Sequence, residues 1–77
     1  MNIQDKLIEI IADVIDVEED ALSGEIGPEE IDEWDSVNSL RILTNIETEL
    51  GVRLPLDEYN RSKSIGELAE IIRRYYE

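Results

Sequence analysis

The chain has 77 residues, with 20 Asp plus Glu against 7 Lys plus Arg, a formal charge of −13, and no His, Cys or Phe. A chain this short buries roughly 60–65% of its unfolded surface, so one compact domain over residues 1–77 is expected and a deep solvent-free catalytic pocket is not. Without His or Cys there is no Ser-His or Cys-His nucleophile pair, no disulfide and no zinc site with nitrogen or sulfur ligands.

The charge would repel phosphate backbones and anionic headgroups, which excludes nucleic acid and membrane surface as partners. The N-terminal Met-Asn-Ile-Gln-Asp-Lys lacks a basic region leading into an apolar segment, and the chain has no run of about 18 apolar residues. A soluble, cytoplasmic, monomeric protein is expected. At 42% hydrophobic residues the chain is too apolar for a disordered acidic tail, so the charge belongs on a folded surface.

Ile3, Leu7, Ile10 and Val14 step by helical spacing, and Asn2 with Asp5 resembles a cap, which predicts a helix over residues 3–15. From Asp16 to Asp35 the periodicity fades and Gly24, Gly27 and Pro28 interrupt the chain. One turn is expected at Pro28 to Ile31 within this long first loop, a kind of segment that is usually functional or mobile. Residues 13–35 hold 11 acids and no Lys or Arg.

A second helix is predicted over 36–50. Its apolar stripe is Val37, Leu40, Leu43, Ile46 and Leu50, its N-cap is Asp35 or Ser36, and Gly51 suits a left-handed C-terminal cap. Residues 56–60 suggest a turn or two of helix. Ser64-Ile65-Gly66-Glu67 reads as a capping box opening a last helix over 65–76, with Ile65, Leu68, Ile72 and Tyr75 on one face. The fold class is therefore all-α: a four-helix bundle of three longer helices, one short helix and a long first loop.

Ser36 is the serine to weigh, because it sits where the long loop meets a helix and its hydroxyl is expected to be exposed. An N-cap oxygen is its bland role. An EF-hand reading from Asp16 fails, since its sixth position is Ala21 and no Glu stands at the twelfth. No metal site is expected.

The run Glu33-Trp34-Asp35-Ser36-Val37-Asn38-Ser39-Leu40-Arg41-Ile42-Leu43, followed by Ile46 to Leu50 and then Gly51-Val52-Arg53-Leu54-Pro55, resembles the acyl carrier protein family, including its peptidyl and D-alanyl relatives. The acidic first loop and terminal helix fall in family order too, so the resemblance covers nearly the whole chain. It implies a carrier rather than an enzyme. Ser36 would bear 4′-phosphopantetheine, installed by a separate Mg²⁺-dependent phosphopantetheinyl transferase, and acyl- or aminoacyl-loading and processing enzymes would be the other partners.

The resemblance also implies that Asp35 serves transferase recognition and that Trp34, Val37, Arg41 and Glu47 meet partners. Trp34 has a second reading as an aromatic lid over the core, and core is the safer placement for Leu40. Val37 follows the serine where Leu is commoner, and Arg41 stands where many members carry an acid, which points to a specialised lipid, polyketide or peptide pathway. Shielding of cargo would require the apolar seam between the second and last helices to part. The rival reading is an acidic helical interaction module without a prosthetic group, in which Ser36 only caps a helix.

Overall fold

A computed structural model describes residues 2–76. Four helices occur among them: α1 (Ile3–Ile15), α2 (Ser36–Leu50), α3 (Leu56–Arg61) and α4 (Ile65–Tyr75). No strand occurs among the described residues, and none of their helices is long and apolar enough to cross a membrane. The fold is the expected all-α, four-helix arrangement.

Local chemistry sets the helix limits. Asn2 Oδ1 accepts the Asp5 amide at 3.2 Å and starts α1, which stops at Asp16 in the left-handed conformation (φ 60°) that short polar side chains tolerate. Gly51, with φ 68°, ends α2 and returns its N–H to the Glu47 carbonyl at 3.0 Å. Ser64 Oγ accepts the Glu67 amide at 3.2 Å while Glu67 reaches back to the Lys63 N–H at 3.0 Å, so α4 opens on a reciprocal pair of caps.

α1 packs against both α2 and α4, and α3 rests on α4. The core is aliphatic: Leu7 and Ile11 of α1, Ile42 and Ile46 of α2, and Ile65, Leu68 and Ile72 of α4 have essentially no exposure. Truncating any one of these to Ala would cost about 2–5 kcal/mol, lost burial and the cavity left behind acting together. Lys6 ties α1 to α2 at the surface, its ammonium lying 3.2 Å from Glu49 and 3.3 Å from Glu9.

The long first loop is anchored. It holds one 3₁₀ turn at Glu19–Ala21, which the fading periodicity did not reveal, and a turn over residues 27–30, one residue earlier than expected. Its Ile26 and Gly24 carbonyls accept the Ile65 and Gly66 amides at 2.8 and 2.9 Å, supplying partners for the free N–H groups of the first turn of α4. Leu22 and Trp34 are buried, and Ile26 and Ile31 pack against the core. The loop is thus fixed at its middle and at its far end, just before α2 begins.

The inner face of α2 differs from the expected stripe. Ile42, Ile46 and Leu50 are buried, Leu43 is half-buried, but Val37 is 69% and Leu40 57% exposed. Placement of Leu40 in the core is corrected. The first turns of α2 face Trp34 and Tyr59, and Ser39 takes the inward position against the Tyr59 hydroxyl, which turns the neighbouring Leu40, about 100° further round the helix, to solvent.

Candidate functional site

Asp35 settles the status of Ser36. The Asp35 carboxylate accepts the Asn38 amide at 2.9 Å and its carbonyl accepts the Ser39 amide at 2.8 Å, which makes Asp35 the N-cap of α2. Ser36 is consequently the first helical residue. It is exposed, and its hydroxyl has no hydrogen-bond partner among the described residues.

The turn that presents Ser36 is braced from both sides. Asn38 Nδ2 donates to the Glu33 carbonyl at 2.8 Å, tying the loop to the helix it enters, and Arg41 Nη1 donates to Asn38 Oδ1 at 3.3 Å. Beneath it, the Tyr59 hydroxyl donates to the Ser39 carbonyl at 2.7 Å and accepts from Ser39 Oγ at 3.1 Å. Burial pushes the Tyr59 phenol above its usual pKa, partly offset by hydrogen bonding with Ser39 and by the Trp34 indole nearby.

The other expected site residues separate into inside and outside. Trp34 is 6% exposed and belongs to the core, so of its two readings the buried lid is observed and a surface anchor is corrected. Its Nε1 is buried without a hydrogen bond of good geometry. Val37 and Arg41 are exposed on α2, Arg41 over a shallow depression shared with Leu40, Thr44 and Asn45. Glu47 is half-buried on the same side of α2 as Ser36, roughly 16 Å further along the axis at the helical rise.

An open groove of about 430 Å³ runs beside Ser36, walled by Pro28, Trp34, Leu40 and Leu56 and by the polar Asp35, Ser39 and Asn60. Sequence reasoning missed Tyr59, Leu56 and Asn60 here. The signal for the first two was present, since Leu56 and Tyr59 stand three apart on the short helix and share a face.

A 4′-phosphopantetheine group fits this setting. The free hydroxyl at a helix start offers an ester oxygen beside the Ser36 and Val37 amides and the positive end of the helix dipole, which favour a phosphodiester anion by about 0.3–1 kcal/mol at an exposed site. The mixed walls of the groove match a chain that alternates amides with methyl and methylene groups. No group of three or more carboxylates among the described residues is placed to hold a metal ion.

A family model described as the phosphopantetheine attachment site matches residues 5–72. Comparison with curated proteins gives no significant match. Among solved structures, the solution NMR structure of the holo acyl carrier protein from Geobacter metallireducens is similar, with a TM-score of 0.85 and 27% sequence identity, over 97% of this chain and 86% of that one. With its model match spanning most of the sequence and its fold shared with a holo carrier, the chain belongs to the phosphopantetheine attachment family and is a carrier protein of the acyl carrier fold, whose prosthetic group is covalently attached 4′-phosphopantetheine.

Proposed function

We propose that Ser36 is the attachment residue and that the protein carries acyl or aminoacyl intermediates for a specialised lipid, polyketide or peptide pathway. The observation that carries this reading is the idle Ser36 hydroxyl: Asp35 caps α2, so Ser36 stands exposed on rigid backbone with no structural duty. In attachment, Ser36 Oγ bonds to the β-phosphorus of coenzyme A, the bond to 3′,5′-ADP breaks, and the serine proton leaves to a base. That base belongs to a phosphopantetheinyl transferase, because the chain has no His, and the transferase also brings Mg²⁺. Once bound, the arm supplies a thiol that holds cargo as a thioester.

The chain itself presents. Asp35 fixes the turn and offers its exposed carboxylate to the transferase, while Val37, Leu40 and Leu56 form an apolar rim around Ser36 for enzymes that load and process the cargo. Arg41 places a cation on that rim, which favours partners with an acid opposite it. The protein acts as a cytoplasmic monomer in this reading.

Incubation with coenzyme A, Mg²⁺ and a broad-specificity transferase, followed by intact mass measurement, tests it. A pantetheinyl mass gain in the wild type that disappears in Ser36→Ala is the expected result. No gain with several transferases would favour an acidic interaction module instead, and a gain that persists in Ser36→Ala would move the attachment elsewhere.

A further inference from the structure

Asn38 makes three hydrogen bonds at the start of α2. Its backbone N–H donates to the Asp35 carboxylate at 2.9 Å, its side-chain Nδ2 donates to the Glu33 carbonyl at 2.8 Å, and its Oδ1 accepts Arg41 Nη1 at 3.3 Å. The Nδ2 bond spans five positions of the chain and closes a turn that contains Ser36. Trp34 lies in the same turn; its ring is buried and its backbone N–H donates to the Ile31 carbonyl at 3.1 Å, which fixes the loop side of the turn to the core.

Only an amide side chain meets both demands made on Asn38. A carboxylate of the same shape would accept from Arg41, but it has no N–H for Glu33 and would set negative charge against a carbonyl oxygen. Arg41 chooses the orientation. A guanidinium only donates, so with Oδ1 held by Arg41 the amide nitrogen is left facing Glu33, and a flipped amide would set donor against donor and acceptor against acceptor. The Ser36 hydroxyl has no partner among the described residues, so its direction is set by the backbone that carries it.

Resting on the reading of Ser36 as the attachment residue, we propose that Asn38 is a positioning residue for the attachment, and that Arg41 acts through Asn38 by fixing the orientation of its amide. Bringing Ser36 Oγ into line with the phosphorus of coenzyme A inside a transferase requires the turn to keep its shape, and a misplacement of about 1 Å can cost on the order of a hundred-fold in rate. One of the five guanidinium N–H donors of Arg41 is engaged by Asn38, which leaves a partner's acid the others.

The test is a double-mutant cycle on pantetheinyl transfer. Wild type, Asn38→Ala, Arg41→Ala and the double variant are each given coenzyme A, Mg²⁺ and a broad-specificity transferase, and intact mass follows the transfer at several carrier concentrations. Asn38→Ala should lower kcat roughly ten-fold with KM for the carrier little changed. Arg41→Ala should lower kcat several-fold on its own and add nothing in the Asn38→Ala background, because two residues acting as one unit are not additive. Asn38→Asp, which keeps the acceptor and loses the donor, should match Asn38→Ala in kcat when salt screens its added charge.

Independent, multiplying losses from Asn38→Ala and Arg41→Ala would place Arg41 on the transferase and overturn its action through Asn38. A loss confined to KM, or a wild-type kcat in Asn38→Asp, would deny Asn38 the positioning role; either result leaves the attachment reading standing. Absence of any mass gain in the wild type would overturn attachment and positioning together. Amide NMR of Arg41→Ala, a change at an exposed side chain, supplies a measurement that does not depend on the Asn38 variants folding. Shifts at the Asn38 side-chain amide and along Glu33 to Ser36 are expected, and none there would overturn the coupling.

Discussion

The Asp35 carboxylate meets the Asn38 amide at 2.9 Å, and the side chain of Asn38 returns to the Glu33 carbonyl at 2.8 Å. A side-chain cap and its reciprocal tie therefore lie one on each side of Ser36, and both leave its oxygen untouched. The same turn that starts the helix makes the serine available. A chain that used Ser36 as the cap would have spent the hydroxyl on the backbone.

Removing the Asp35 cap separates stability from recognition. Asp35→Ala should cost about 1 kcal/mol in urea unfolding, the usual loss for an N-cap, whereas Asp35→Asn preserves a capping oxygen and should stay within a few tenths. Measured beside these, the rate of pantetheinyl transfer decides the second role of Asp35. A slower rate in Asp35→Asn at unchanged stability assigns the negative charge to transferase recognition; an unchanged rate leaves Asp35 as a cap alone.

Tyr59 is the residue on which the small third helix depends. Tyr59→Phe deletes the bonds to Ser39 and should cost about 1 kcal/mol, while Tyr59→Ala also empties a buried volume and should cost about 3–5 kcal/mol. The larger loss is a major part of the roughly 5–15 kcal/mol by which such domains are stable. Urea unfolding of both variants checks the order. Equal losses would mean that the ring contributes nothing beyond its hydroxyl.

How far these features were legible depended on how local their causes were. The limits of α1 and α2, read as 3–15 and 36–50, are observed as Ile3–Ile15 and Ser36–Leu50, and α4 ends one residue before the expected 76, because helical spacing and capping residues act within a few positions. The rotation of α2 was not legible. Its true inner face includes the polar Ser39, and only the distant Tyr59 makes that position inward. Pinning of the first loop on α4 was hidden for a different reason: the bonds from Ile65 and Gly66 run to backbone carbonyls, which no side-chain pattern encodes. At the site itself, exposure of Ser36 was foreseeable, but the choice of Asp35 over Ser36 as the cap needed coordinates, since both residue types cap well.

Gly27 tests the loop anchor directly. A methyl group added there would lie 1.8 Å from the Lys63 carbonyl oxygen, a backbone atom that cannot rotate away. Gly27→Ala must therefore push the loop off the start of α4 or distort it, at a cost of about 1–3 kcal/mol by comparison with other overpacked sites. Thermal unfolding should show the loss, and hydrogen exchange at the Ile65 and Gly66 amides should quicken as their loop acceptors withdraw. Unchanged protection at those two amides would mean that the close approach is easily relieved.

Stability should fall in alkali, and the direction follows from three groups. Burial raises the Tyr59 phenol above its ordinary value of 10.0, the hydrogen bond to Glu58 at 2.6 Å raises Tyr75, and hydrogen bonds to Glu49 and then Glu9 raise Lys6 above 10.5. Each group holds its proton to higher pH in the folded chain than in the unfolded one. The stability linked to that proton is complete below the unfolded value and is lost as pH climbs through the folded value. Because Tyr75 and Lys6 lie at the surface, salt should screen their share, whereas the part due to buried Tyr59 should persist in salt. Urea midpoints measured from neutral to strongly alkaline pH should thus decline past pH 10.0, and Tyr59→Phe in high salt should flatten the decline. An equally steep loss in that variant would place the alkaline sensitivity somewhere other than the buried Tyr59 phenol.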